Sequence, residues 1–147
     1  MNTGGDSGGS AGSNCDPVSA NAADGHHNAG QTCLQQGCHL VGATGAGAPE
    51  YSIAGTLWRD SGGASPYPGA TIEVTTGGQL HKIITASNGN FFLPPALAAA
   101  PTAAAPGTTK ASACPSTLPM TENLVDNGGN CNNCHRTGGT TTPIYLQ

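Results

Sequence analysis

Two short stretches limit what this chain can fold into: Cys131-Asn132-Asn133-Cys134-His135 and Cys33-Leu34-Gln35-Gln36-Gly37-Cys38-His39. Each ends in a cysteine followed at once by a histidine, with a second cysteine a few residues upstream. The tighter one reads Cys-x-x-Cys-His, the attachment signature of c-type haem. That chemistry needs each residue in its place. Two thiols add across the two vinyl groups of one porphyrin, and the next imidazole becomes the proximal ligand of the iron. The stretch at 33–39 has the same parts with four residues between the cysteines, a wider variant of the site. A zinc ribbon would want two Cys-x-x-Cys knuckles, and Cys33 and Cys38 are too far apart for one. A disulfide loop asks for no histidine behind its second cysteine. The sequence therefore predicts two haem c groups, one on Cys33, Cys38 and His39, the other on Cys131, Cys134 and His135.

The remaining composition fits a chain organised around cofactors. Of 147 residues, 8% are charged and 36% apolar, while Gly (23) and Pro (11) are abundant. The aromatic residues are Phe91, Phe92, Trp58 and three tyrosines. One domain, or two very small ones, of this make-up cannot bury a large aliphatic core, and without cofactors it leans towards disorder. Two porphyrins would supply the missing apolar mass. Net charge is −4, and Arg59, Lys82, Lys110 and Arg136 are the fixed cations. That balance argues against nucleic acid as a partner. No run approaches the length of a membrane span.

Cys15 and Cys114 are left over from the haem motifs. They are expected to pair as a disulfide that ties the N-terminal segment to the far end of a central module; two unpaired thiols are the alternative. Haem c is attached outside the cytoplasm, where a disulfide also persists. The expected location is extracellular or at the cell surface, with the periplasm as the alternative. Met1 to Ser13 is Gly/Ser-rich with no apolar h-region, so no signal peptide is visible and the numbering is expected to start after processing.

Four segments follow. Residues 1–13 form a Gly/Ser-rich N-terminal arm, expected to lie on a haem or on a neighbouring copy. Residues 14–50 form a first haem-binding segment of loops, with one helical turn around Thr32–His39. Residues 51–113 change character. Ile53–Trp58, Ala70–Thr75, Leu80–Thr85 and Phe91–Leu93 read as short strands separated by Gly, Pro and Asn turns, with a last strand near Thr109–Ala113. Gly77-Gly78 is a hairpin turn. Residues 98–113 otherwise read as a Pro/Ala connector. Residues 114–147 hold the second haem-binding segment, loop as far as 130. The predicted fold is mostly β plus irregular loops: a small Ig-like antiparallel β-sandwich flanked by loop-rich c-type haem-binding segments.

The order Ala-Gly-Thr-Leu (54–57), Pro-Gly-Ala-Thr-Ile-Glu-Val (68–74) and Ser-Asn-Gly-Asn-Phe-Phe-Leu-Pro (87–94) resembles carboxypeptidase regulatory-like domains. That resemblance implies a seven-stranded Ig-like spacer module over residues 51–97. The usual acidic residue before the Asn-Gly turn is replaced by Ala86 and Ser87. The wider layout, with haem motifs bracketing such a module and an Ile-Tyr-Leu tail at 144–146, resembles multihaem c-type cytochromes of metal-reducing and related bacteria. That likeness implies extracellular electron transfer and assembly into nanowire-type filaments.

Five histidines are present. With His39 and His135 as proximal ligands, His26, His27 and His81 compete for the distal positions. Adjacent His26 and His27 on an irregular backbone point in different directions, so each could reach a different iron and draw the haems together. Neighbouring histidines serving neighbouring haems also occur in the cytochromes this chain resembles. His26 and His27 are therefore the expected distal ligands, His81 is the weaker alternative, and Met120 is weaker still.

If both irons are closed by protein ligands, the haems can only pass electrons. Asp24, Glu50, Asp60, Glu73 and Asp126 form no paired acid/base motif, so the reading is an electron carrier and not an enzyme. A haem enzyme or sensor with one open iron is the alternative, and a non-redox scaffold is the third. Two haem sites near opposite ends of the sequence bracket one module, so each could meet a haem of the next copy. A head-to-tail contact of that kind gives a helical filament when its rotation does not close. The expected partners are other copies of the chain and redox proteins or extracellular acceptors; the alternative is a soluble periplasmic dihaem carrier.

Overall fold

The computed structural model describes residues 15–25, 27–125 and 129–147. The expectations placed on the arm at 1–13, on His26 and on Asp126 lie outside the described residues. Among the described residues the chain forms β1 (Ile53–Trp58), β2 (Thr71–Thr76), β3 (Gln79–Ile84), β4 (Asn90–Leu93), β5 (Thr108–Ala113), β6 (Ser116–Pro119), the single turn α1 (Cys131–Cys134) and β7 (Ile144–Tyr145).

Local sequence explains these strands. In β2, Ile72 and Val74 alternate with Glu73 and Thr75, and burial alternates with them. Gly77 and Gly78 both take positive φ, +58° and +76°, which a two-residue hairpin requires when its twist matches the flanking strands. β2 and β3 pair across that turn from Thr71↔Ile84 to Thr76↔Gln79.

The strands make two sheets. One runs β3-β2-β5-β6 with every pair antiparallel. The other runs β4-β1-β7, with β4 antiparallel and β7 parallel to β1. Ile53, Leu57, Phe91 and Leu93 from one sheet meet Ile72, Val74 and Ala111 from the other in a common core. The molecule is a small β-sandwich with loops, as the spacing of the turns predicts.

Three local features differ from the sequence reading. Residues 116–119, expected as loop, form β6 against β5. The tail at 144–145 adds a parallel strand to β1, with Leu57↔Ile144 and Trp58↔Tyr145. The helical turn lies at 131–134 and not at 32–39, where turns and bends stand instead. Gly37, at φ +79°, breaks helical geometry in the longer motif.

Cys15 and Cys114 form the expected disulfide across a sequence separation of 99 residues. The chain beside it lies against β5: the Cys114 amide donates to the Asp16 carbonyl at 2.9 Å, and the Asp16 amide donates to Ser112 Oγ at 3.1 Å.

All six residues of β1 are buried. Ile53 and Leu57 face the core, and loops that carry the two Cys-His motifs cover the strand elsewhere. The Ala54 amide donates to the Gly129 carbonyl at 2.7 Å, and the Gly30 amide donates to Thr56 Oγ1 at 2.9 Å. β1 is thus the surface on which both candidate sites are mounted.

Candidate haem sites

The two motifs close in the same way despite their different lengths. The His135 amide donates to the carbonyl of Cys131 at 2.9 Å, and the His39 amide donates to the carbonyl of Cys33 at 3.1 Å. In each, the histidine is tied back to the first cysteine. The two extra residues of the longer motif are taken up around exposed Gln35, Gln36 and Gly37.

The imidazoles are oriented alike as well. His39 Nδ1 lies 2.8 Å from the Pro49 carbonyl, and His135 Nδ1 lies 3.1 Å from the Thr142 carbonyl. A carbonyl only accepts, so in these contacts Nδ1 would be the donor and Nε2 would be left to meet a metal. Such a carbonyl contact is the usual outer support of a metal-bound histidine. Thr141 Oγ1 stands 3.0 Å from the same nitrogen of His135.

Cys33, Cys38, Cys131 and Cys134 are thiols, in contrast to the bonded Cys15 and Cys114. Burial pushes the Cys33 thiol up, with Cys38 adding. Burial pushes Cys131 up to about 12, and nearby Cys33 and Cys134 add to it. Hydrogen bonds from Asn130 Nδ2 to the Leu34 carbonyl and from Asn132 Nδ2 to the Gln31 carbonyl place the two motifs side by side, although nearly a hundred residues separate them.

Each motif opens into a cavity. The first, about 640 Å³, is lined by Cys33, Cys38, His39, His27, Tyr51 and Phe92 among others. The second, about 680 Å³, is lined by Cys131, Cys134, His135, Met120, Ile144 and Tyr145 among others. Both volumes lie within the range of about 300–1,000 Å³ common to cofactor sites. The second cavity opens between the sheets, with Ile72 and Ala111 on one side and Phe91 and Ile144 on the other. Phe91 lines both cavities. Leu118 and Val125, at 40% and 44% exposure, leave apolar surface at the second one.

The first cavity gathers two histidines and two aromatic rings, His27, His39, Tyr51 and Phe92. His27 and His39 have centroids 6.1 Å apart and planes inclined by 30°. Tyr51 stacks on His39 at 4.5 Å and Phe92 on Tyr51 at 4.5 Å. Burial pushes the Tyr51 phenol up, with Cys33 adding to the shift. Among the described residues no group of three or more His, Cys, Asp or Glu side chains gathers to hold a bare metal ion. A haem would make no such demand, since the porphyrin itself would hold the iron and the motif residues would anchor it. The cysteines would hold the macrocycle, His39 and His135 the irons, and the bound group would supply a one-electron ferric/ferrous couple.

The structure brings His27 to the first cavity. Met120 lies at the second. His81 sits on β3 opposite Val74 and lines neither cavity.

Sequence reasoning missed the asparagines that hold the sites in place. Asn90 Nδ2 donates to the carbonyls of Gly25 at 3.2 Å and His27 at 2.9 Å, while its Oδ1 accepts from Thr56 Oγ1 at 2.7 Å. Asn130 Nδ2 donates to the Leu34 carbonyl at 3.0 Å. Asn132, fully buried, bonds Thr56 and Gln31. The available signal was an excess of asparagine around the second motif, which reads equally well as loop.

Compared with known proteins, the chain matches no family model, no curated protein and no solved structure.

Proposed function

We propose that the chain is an extracytoplasmic electron carrier with two covalently bound c-type haems. One observation carries this reading: in each Cys-His motif the histidine amide is tied to the carbonyl of the first cysteine and Nδ1 faces a backbone carbonyl, an arrangement that would leave Nε2 for iron. Unrelated surface histidines have no reason to match in this way. The four thiols, the two cavities beside them and the presence of both His27 and His39 in the first cavity support it further. Proximity of the two motifs suits electron exchange between haems within one chain.

The proposal extends to self-assembly. Leu40 and Val41, directly after His39, are 37% and 48% exposed, which offers apolar surface beside the first haem for a second copy. Repeated head-to-tail, that contact would continue the haem chain in a filament of the kind formed by the multihaem cytochromes the sequence resembles.

The test is intact mass together with a reduced-minus-oxidised visible spectrum of protein made with haem-attachment machinery. A mass exceeding the polypeptide by two haems is expected, with one haem lost from each Cys33→Ser/Cys38→Ser and Cys131→Ser/Cys134→Ser pair. A mass equal to the bare chain would reject the reading. Electron microscopy of the holoprotein separates filament from soluble carrier, since monodisperse monomers at high concentration would remove the assembly arm.

A further inference from the structure

We infer that Thr141 is a positioning residue for the second haem: its hydroxyl holds the His135 imidazole and lowers the reduction potential of the iron that this imidazole would ligate. This rests on the two-haem reading above. Thr141 Oγ1 lies 3.0 Å from His135 Nδ1, and the Thr142 carbonyl lies 3.1 Å from the same nitrogen. For Nε2 to meet iron, Nδ1 must carry the proton of the ring. Both oxygens are then acceptors around one N–H.

The chain folds back on itself to bring the hydroxyl there. Between Arg136 and Thr140 it turns, with the Gly139 amide donating to the Arg136 carbonyl at 2.9 Å and Gly138 at φ +76°, a conformation open to glycine without strain. Thr137 Oγ1 donates to the Gly62 carbonyl at 3.0 Å and ties this turn to the loop after β1. The returning segment then pairs with the motif. Thr141 forms a parallel bridge with His135, and its amide donates to the Cys134 carbonyl at 3.1 Å. The backbone of Thr141 is therefore fixed to the two residues that would hold the macrocycle and its iron.

The first motif is supported differently. Among the described residues, His39 Nδ1 has the Pro49 carbonyl at 2.8 Å and no hydroxyl beside it, while Tyr51 stacks on the ring. A second acceptor draws the Nδ1 proton outward and makes the imidazole a more basic ligand. A more basic ligand favours ferric over ferrous iron, so the potential falls. Hydrogen bonding in this outer layer is one of the levers by which a protein sets a haem potential, and here it acts on one haem of the pair.

The test uses the full holoprotein, shown by intact mass to hold two haems. Thr141→Val keeps the shape of the side chain and puts a methyl where the hydroxyl stood, which also keeps water from taking its place. Thr141→Ser keeps the hydroxyl. Both variants are titrated electrochemically beside wild type, and their ferric haems are compared by electron paramagnetic resonance. Thr141→Val should raise the potential of one haem and shift the signal of one ferric centre, leaving the other haem as in wild type. Thr141→Ser should match wild type in both readouts. Thr141→Val placed in the Cys33→Ser/Cys38→Ser protein, which keeps only the second haem, should show the same rise. Unchanged potentials in Thr141→Val, a fall, an equal movement of both haems, or a rise that disappears when only the second haem is kept would each overturn the assignment. So would a Thr141→Ser protein that behaves like Thr141→Val. A polypeptide of bare mass would instead defeat the two-haem reading, and this proposal with it, before any potential is measured.

Discussion

Asn132 and Thr56 exchange two hydrogen bonds: the Thr56 amide donates to Asn132 Oδ1 at 3.0 Å, and Asn132 Nδ2 donates to Thr56 Oγ1 at 2.9 Å. Asn132 is the first residue between the cysteines of the second motif, and Thr56 is in the middle of β1. The same Nδ2 donates to the Gln31 carbonyl at 2.8 Å, two residues before Cys33. One buried side chain therefore joins the sheet, the second motif and the approach to the first. With Asn130 bonded to Leu34, it fixes the two attachment points relative to each other, and hence the spacing of any groups they carry.

Removing that side chain should be costly. Asn132→Ala leaves the buried Thr56 amide and hydroxyl without their partner, and an orphaned buried group costs about 1–3 kcal/mol. A loss of about 2–4 kcal/mol is expected in denaturant unfolding of the loaded protein, with altered visible circular dichroism from the haem pair. Asn133→Ala, at the exposed neighbouring position, should stay within about 0.5 kcal/mol of wild type. Equal effects from the two variants would remove the special role of Asn132.

The parts of this molecule that were legible in the sequence are those written in local chemistry. Ile72 and Val74 alternate with polar residues, Gly77-Gly78 marks the hairpin, and Cys-His adjacency marks both motifs. The parts that were not legible depend on contacts across long separations. Ile144-Tyr145 is too short to announce a strand and becomes one because β1 offers it an edge. Ser116–Pro119 carries little periodicity and is recruited by β5. The role of Asn90 or Asn132 cannot be read locally, because an asparagine that clamps a buried backbone looks like one in a turn until its partners are placed.

His27 should be a ligand whose loss is visible. In the reduced holoprotein, His27→Ala is expected to turn one iron from low-spin to high-spin and let it bind carbon monoxide, while the other haem is unchanged. His81→Ala, on an edge strand away from both cavities, should leave the spectrum as it is. A His27→Ala protein whose spectrum and carbon monoxide binding match wild type would reject His27 as ligand.

Glu73 sits between two lysines on the four-stranded sheet, with Lys110 Nζ at 2.9 Å and Lys82 Nζ at 3.2 Å. The hydrogen bond from Lys110, followed by that from Lys82, holds its carboxyl below the usual range. A depressed folded pKa stabilises the fold above the unfolded value, and that contribution fades as pH falls through the folded one. Lys82 is about half exposed, so solvent screens its share and Lys110 contributes more. Glu73→Gln should cost about 0.5–1 kcal/mol at neutral pH and low salt. The difference from wild type should shrink with added salt and vanish once acid has protonated Glu73. Urea midpoints measured across an acidic pH series provide the check, and a gap that is independent of pH would contradict the ionic account.

The Cys15–Cys114 bond spans 99 residues of sequence, so it encloses the first motif and most of the sandwich in one covalent loop. In the chain-entropy model, closing a loop of this length restricts the unfolded chain by about 4–5 kcal/mol. The native segment is also held non-covalently. Asp16 pairs with Lys82 at 2.8 Å, its carbonyl accepts from the Cys114 amide, and the Ser19 amide donates to the Gly69 carbonyl at 2.7 Å. Cutting the bond should therefore leave the folded arrangement in place while lowering its stability. For Cys15→Ser/Cys114→Ser, the expected outcome is an unchanged oxidised haem spectrum, a denaturation midpoint lowered by most of that amount, and a similar loss on reduction of the wild type. Two alkylatable thiols at these positions in unreduced protein would contradict the bond itself. A double variant as stable as wild type would show that the surrounding hydrogen bonds hold the segment without it.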